Sequence, residues 1–362
     1  MGTVLSRAFT ARRAPATGGR LVTPALLFPG LVALLGLAIL LNLGLGAMEI
    51  RPAQAIAIIA DRLGIPLSTD FTPQQASVLW AIRLPRVALA ALVGAALALS
   101  GATLQGVFRN PLADPGLIGV SSGAALGAVA TILVGLAPFG LATLPIAAFL
   151  GGLLATLAVY GLARQDGRTD VVTLILTGIA CNAVLGAATG YLTFLATDAQ
   201  LRAIVFWSLG SIGGATWDTT LRALPLIAVG LLAAPRWSAA LNLLVLGEEE
   251  ATSLGVPTER VRLSLIALAA LMTGAAVAVA GIIGFVGLVV PHIVRLVSGP
   301  DHRRLLPASA LAGASLLLMA DLAARTLAAP AELPIGVVTA FAGGPFFLWL
   351  LRRARQERAI PG

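Results

Sequence analysis

Residues 83–127 read RLPRVALAALVGAALALSGATLQGVFRNPLADPGLIGVSSGAALG, and this stretch decides the fold class. From Val87 to Phe108 no charge interrupts a run of Ala, Leu, Val and Gly. Such a run can cross a hydrocarbon layer of about 30 Å as a single helix. Asn110-Pro111 and Asp114-Pro115 then break the pattern before a second apolar run begins. The same alternation extends outward in both directions. It predicts ten spans, at 26–48, 84–107, 114–135, 141–163, 171–196, 219–234, 261–282, 284–298, 305–328 and 334–351. The eighth is short and interrupted by glycine.

Composition agrees with this reading. The 362 residues are 58% hydrophobic and 11% charged, whereas a soluble domain carries about a quarter charged residues. The fold class expected is therefore all-α and polytopic, with about ten transmembrane helices. The 24 Lys and Arg residues are all arginine. Without lysine there is no P-loop and no Schiff-base chemistry, so any ATP must be bound by another chain. The single cysteine, Cys181, has no partner for an internal disulfide and reads as a packing residue in an apolar run.

Arginine asymmetry sets the expected orientation. Arg7, Arg12, Arg13 and Arg20 precede the first run, which is too long for a signal-peptide core and reads as a retained span. With that end inside, most arginines fall on the cytoplasmic side and both termini are cytoplasmic. Residues 1–25 then form a cytoplasmic segment, 26–351 a single transmembrane domain and 352–362 a cytoplasmic tail. Residues 49–83 form an external cap. Residues 235–260, PRWSAALNLLVLGEEEATSLGVPTER, read as two short amphipathic helices joined near Gly247 on the inner face. Leucines there suit a docking surface for a cytoplasmic partner.

Several motifs invite chemistry and lose to plainer readings. Gly119-Val120-Ser121-Ser122-Gly123 fits G-x-S-x-G, but it enters an apolar span with no strand before it, so a helix-start role is expected. No H-E-x-x-H or C-x-x-C is present, and His292 reads as a structural polar contact at a helix end. Asp321 and Arg325, four apart on a helix, can pair, though Arg325, near the outer end of its span beside the loop with Glu332, could equally project outward. Gly123/Gly127 and Gly186/Gly190 have the spacing that lets membrane helices approach closely. Gly101–Gly116 and Gly281–Pro291 are two glycine- and proline-broken segments that echo one another, a pattern seen beside transport paths. Arg83 and Arg86 lie at an outer boundary, against the positive-inside tendency, as snorkelling anchors or as a site for a partner's carboxylates.

These stretches, with FWSLGS, LGEEEATSLG, GFVGLVVPHIVRL, DHRRLLPASALAGASLLLMADLAART and ELPIGVVTAFAGGPFFLWLL, resemble the FecCD family. Its members are permease subunits of ABC importers for iron-siderophore, haem and cobalamin. The resemblance runs from about residue 80 to residue 351. It implies a homodimer in the bacterial inner membrane, two cytoplasmic ATPase subunits that bind ATP and Mg, and a periplasmic substrate-binding protein. No cofactor, metal, catalytic residue or nucleic-acid partner is implied for this chain, whose surroundings are membrane lipid.

Residue by residue, the resemblance makes Arg83, Arg86 and Arg325 docking residues for the binding protein, with Arg202 beside them. Leu246, Gly247, Glu248, Glu249, Leu254 and Gly255 become the contact with the ATPase. Asn110 and Leu112, with Arg168, Thr169 and Asp170, form the cytoplasmic gate, and Asn182, Thr189 and Thr193 line the path. The segment TFLATDAQLRAIVFWSLGSIGG looks most like haem-importing members, ahead of ferric siderophore and cobalamin. An ion-coupled secondary transporter is the rival from another class. It would be expected to carry midplane acids, and Asp321 is the one convincing interior carboxylate.

Overall fold

The computed structural model describes residues 24–65, 67–135, 137–165 and 168–359. The expected N-terminal segment with its four arginines lies outside the described residues. In chain order the helices are α1 (Pro24–Gly44), α2 (Pro52–Arg62), α3 (Pro73–Val78), α4 (Leu84–Val107), α5 (Val120–Val134), α6 (Thr143–Ala163), α7 (Val171–Phe194) and α8 (Asp198–Ser208). There follow α9 (Trp217–Ala233), α10 (Ser238–Leu246), α11 (Glu248–Ser253), α12 (Thr258–Ala280), α13 (Val286–Ser298), α14 (His302–Thr326) and α15 (Ile335–Ala359). A π-turn at Leu79–Arg83 joins α3 to α4 without a break. The antiparallel pair Arg164–Gln165 and Arg168–Thr169 is the only strand ladder among the described residues.

Seven of the ten expected spans are helices long and apolar enough to cross a membrane; α5, α13 and the apolar part of α15 are shorter. The third span starts later than 114 for a local reason. The Asp114 carboxylate accepts the Gly116 N–H at 2.8 Å and caps a 3-10 turn, and Gly119 at φ 84° reverses the chain before α5. So G-x-S-x-G is a turn leading into a helix. The eighth span is likewise shortened: Gly281–Phe285 runs outside helix, and Phe285 takes φ 68° at the start of α13.

Helix α4 is the centre of the bundle, with 83% of its most apolar window buried, while α7 lies on the outside with 11%. An all-round apolar helix suits the first position. Backbone contacts at small residues hold the core. A Cβ on Gly94 would run into the carbonyl of Gly313 on α14, one on Gly101 into that of Gly287 on α13, and one on Gly123 into that of Gly151 on α6. Such approaches let apolar helices gain dispersion contact where lipid offers no hydrophobic driving force. The two broken segments therefore meet: Gly101 touches Gly287, and Gln105 Nε2 donates to the carbonyls of Gly287 at 3.4 Å and Leu288 at 3.2 Å. Gly127 packs on Ala147 as its spacing suggested, but Gly186 and Gly190 are exposed with nothing within 4 Å.

The 49–83 segment folds as expected, into α2 and α3. Thr72 caps α3 by accepting from the Gln75 N–H at 3.2 Å, and Trp217 Nε1 donates to the Trp80 carbonyl at 2.9 Å, fastening the segment to α9.

Candidate functional site

One end of the bundle gathers the C-terminus of α1, the N-terminus of α4, the C-terminus of α14 and the loop before α15. Between them lies a cleft of about 820 Å³ lined by Asn42, Arg83, Arg86, Asp321, Arg325 and Glu332, among others. Arg86 sits on the first turn of α4, where Pro85 starts the helix at no cost in hydrogen bonds. Its guanidinium spans two carboxylates. Nε donates to both oxygens of Asp321 at 3.1 Å, Nη2 donates to Asp321 Oδ1 and Glu332 Oε2 at 3.0 Å, and Nη1 donates to Glu332 Oε1 at 2.9 Å. Arginine's fork is the only cationic side chain that can meet two acids in this way.

The expected pairing of Asp321 with Arg325 is present as a long ion pair, Arg325 Nε to Asp321 Oδ2 at 3.9 Å, but Arg86 is the main partner of Asp321. Arg325 Nη2 donates to the carbonyl and side-chain oxygen of Asn42 at 2.7 and 3.1 Å. Arg86 outcompetes it because its fork reaches both Asp321 oxygens. Arg83 is 5% exposed, and its guanidinium donates to the carbonyls of Leu43, Gly44 and Met48. The Leu43 and Gly44 carbonyls belong to the last turn of α1 and that of Met48 to the turn after it, so Arg83 closes that helix end and complements its dipole. Gly46, at φ 148°, lets the turn press against the guanidiniums of both Arg83 and Arg325. None of the three arginines projects freely outward. Glu332, half exposed, has its carboxyl held below the usual range by the hydrogen bonds from Arg86. Arg202 stands exposed on α8, outside the lining of this cleft.

At the other end, α10 and α11 form the expected pair of short helices. The break falls at Gly247, whose φ of 147° is one that residues with a side chain rarely adopt. Leu246 and Leu254 are 66% and 64% exposed, so the pair carries an apolar knob on an otherwise acidic surface with Glu249. Gly255 reverses the chain at φ 83° before α12. Asn242 fastens α10 to the bundle: its Nδ2 donates to Asp301 at 2.7 Å and its Oδ1 accepts the His302 N–H at 2.9 Å. The Asp301 carboxyl is lowered chiefly by that bond from Asn242.

The expected gate residues lie at the same end. Asn110 Oδ1 accepts the Leu112 N–H at 2.9 Å, which tightens the exposed turn after α4. Asp170 caps α7, accepting the Thr173 N–H at 2.8 Å, and this bond chiefly lowers its carboxyl. Thr169 is buried against α12, and Arg168 lies in the ladder, its side chain outside what the structure describes. Sequence reading passed over the groups that hold Thr169. Arg262 contacts Glu248 of α11 at 2.8 Å and Glu259 at 2.9 Å and donates to the Thr169 carbonyl, while Glu259 accepts from the hydroxyls of Tyr160 and Thr169 at 2.7 Å.

On α7, Asn182 Nδ2 donates to the Gly116 carbonyl at 3.0 Å, whereas the hydroxyls of Thr189 and Thr193 return to their own helix backbone. His292 departs from expectation, since both ring nitrogens are buried without a hydrogen-bond partner beside Pro111, Leu112 and Phe346. Among the described residues no group of three or more His, Cys, Asp or Glu is placed to hold a metal.

Apolar spans around a tightly packed central helix, a charged cleft at one end and a leucine-tipped helix pair at the other define a multi-pass membrane permease. The chain belongs to the FecCD transport family, whose profile matches residues 34–353. It is 48% identical over 284 residues, 77% of this chain and 84% of the relative, to the hemin transport system permease protein HmuU of Yersinia pestis. It is 45% identical over 316 residues, 85% of this chain and 81% of the relative, to the cobalamin import system permease protein BtuC of Halobacterium salinarum. The fold matches a metal-chelate type ABC transporter solved in an inward-facing conformation, with TM-score 0.80 and 34% identity over 91% of this chain and 100% of that one. The chain is thus an ABC importer permease of the bacterial inner membrane.

Proposed function

We propose that this permease carries haem, works as a homodimer by alternating access, and is driven by two ATPase subunits that bind ATP and Mg. The observation that carries the substrate is the 48% identity with a hemin permease across 84% of that relative. Chemistry supports it: haem presents two carboxylates on a large apolar ring, and the arginine cleft lies at one mouth of an apolar bundle. The 45% identity with a cobalamin permease favours cobalamin as the second reading.

In this account the arginine end faces the periplasm and receives the binding protein. Glu332, 47% exposed in its side chain, is the carboxylate that an acid of the binding protein displaces from Arg86. The α10–α11 knob enters the ATPase, and residues 110–112 and 168–170 close the inner end. Support for the second copy comes from α7, whose exposed face carries Gly186 and Gly190 at the spacing of close helix contacts. Asn182, Thr189 and Thr193 on that helix then border the path.

Uptake into proteoliposomes holding both subunits and loaded binding protein, with haem, a ferric siderophore and cobalamin compared, tests the substrate. Haem is expected to enter fastest. Preferential entry of cobalamin or the siderophore would reassign the substrate while leaving the permease reading intact.

A further inference from the structure

Arg262 joins two elements far apart in the chain. It is 3% exposed, and its guanidinium holds Glu248 at the start of α11 and Glu259 one turn away on α12. Its third partner is the carbonyl of Thr169, the residue immediately before the cap of α7. Glu259 takes the rest of that threonine, accepting its N–H at 3.2 Å and its hydroxyl at 2.7 Å. The carbonyl, N–H and hydroxyl of Thr169 are thereby all committed to one ionic network. A buried guanidinium does not readily give up an acidic partner, because the charge left behind is uncompensated. Charge-assisted bonds also fix geometry more tightly than neutral ones.

Helix α7 is thinly buried, with Val171 and Ile175 partly packed on the core and Asn182 bonded to the Gly116 carbonyl. Its only buried residues are Leu174 and Gly178, the latter against the carbonyl of Leu117. The polar tether at the start of its first turn is Thr169, and Thr169 is held by Arg262 and Glu259.

We propose that Arg262 is a positioning residue that ties α11 to the start of α7, so that a displacement of α11 carries the first turn of α7 with it. The inference deepens the transport reading and rests on it in two respects, α11 as the ATPase contact and α7 as a wall of the path. Coupling of this kind needs a physical connection that both elements bias together, and a doubly salt-bridged arginine bonded to the backbone supplies one.

The test uses the full complex in nanodiscs, with spin labels at Thr252→Cys on α11 and Val172→Cys on α7 in a Cys181→Ser background. In the parent, the distance distribution between the labels is expected to be narrow and the same with ADP and with trapped ATP–vanadate. In Arg262→Gln it is expected to broaden and to differ between the nucleotide states. ATP hydrolysed per haem imported should rise about tenfold, within the range of ordinary coupling energies. A purely structural role would lower both activities together and leave their ratio unchanged. Should Arg262→Gln not fold, Glu248→Gln, which removes only a half-exposed carboxylate, carries the same expectation. Parent-like distances and a parent-like ratio in the folded variant overturn the proposal. If the parent shows no ATP-driven uptake while the variant still broadens the distance, the link stands and the transport reading fails.

Discussion

Arg86→Ala is expected to destabilise the chain by about 3–5 kcal/mol, the cost of breaking a buried pair on one side only. The reason lies in what is left behind. The Asp321 side chain is 2% exposed, and Arg325 Nε at 3.9 Å is too far and too poorly aligned to replace three hydrogen bonds from Arg86. Arg86→Lys should recover only part of the loss, since a point charge cannot bridge Asp321 and Glu332 together. Arg86→Met combined with Asp321→Asn should recover most of it, because neutral packing often matches a buried ion pair. Thermal unfolding in detergent, followed by loss of the monodisperse peak, reads all three. A melt of Arg86→Ala at the parent temperature would remove the triad from the structural account. The comparison also bears on docking: any loss of binding-protein capture by an Arg86 variant must be measured on protein shown to be folded.

Gly101→Leu is the second large effect expected. Even a Cβ there collides with the backbone carbonyl of Gly287, so α4 and α13 must separate and the contact between the two broken segments opens. Overpacking of a tight core costs about 1–3 kcal/mol and more where backbone must move. Gly190→Leu is the matched control, since nothing lies within 4 Å of that position. The control should melt with the parent as a single chain, and in the proposed homodimer it should lower the dimer fraction. Equal melts for Gly101→Leu and Gly190→Leu would contradict the packing described here.

The spans were legible because hydropathy accumulates over long runs, and the glycine at 247 with the three acids after it marked the break between α10 and α11. What sequence could not reach was pairing between distant elements. Local spacing put Asp321 with Arg325, yet its main partner lies 235 residues away, chosen by the geometry of a forked side chain. Arg83 reads in sequence as an outward charge and in the structure closes the end of α1. Asn42 carried a usable signal, a lone amide in an otherwise apolar first span, and it proves to hold Arg325 and the Leu318 carbonyl. Arg262 gave none, because an arginine at the inner end of a span satisfies the positive-inside pattern without further explanation. The two broken segments were visible from their glycines and prolines, but their mutual contact was not.

Most direct for the central claim is the energy source of uptake. Proteoliposomes containing the permease, its ATPase subunits and loaded binding protein should accumulate substrate when ATP and Mg are present inside, with no proton or sodium gradient. Accumulation should stop when the ATP is replaced by a non-hydrolysable analogue. Accumulation that follows an imposed ion gradient and ignores ATP would contradict the account and return the chain to the secondary transporters.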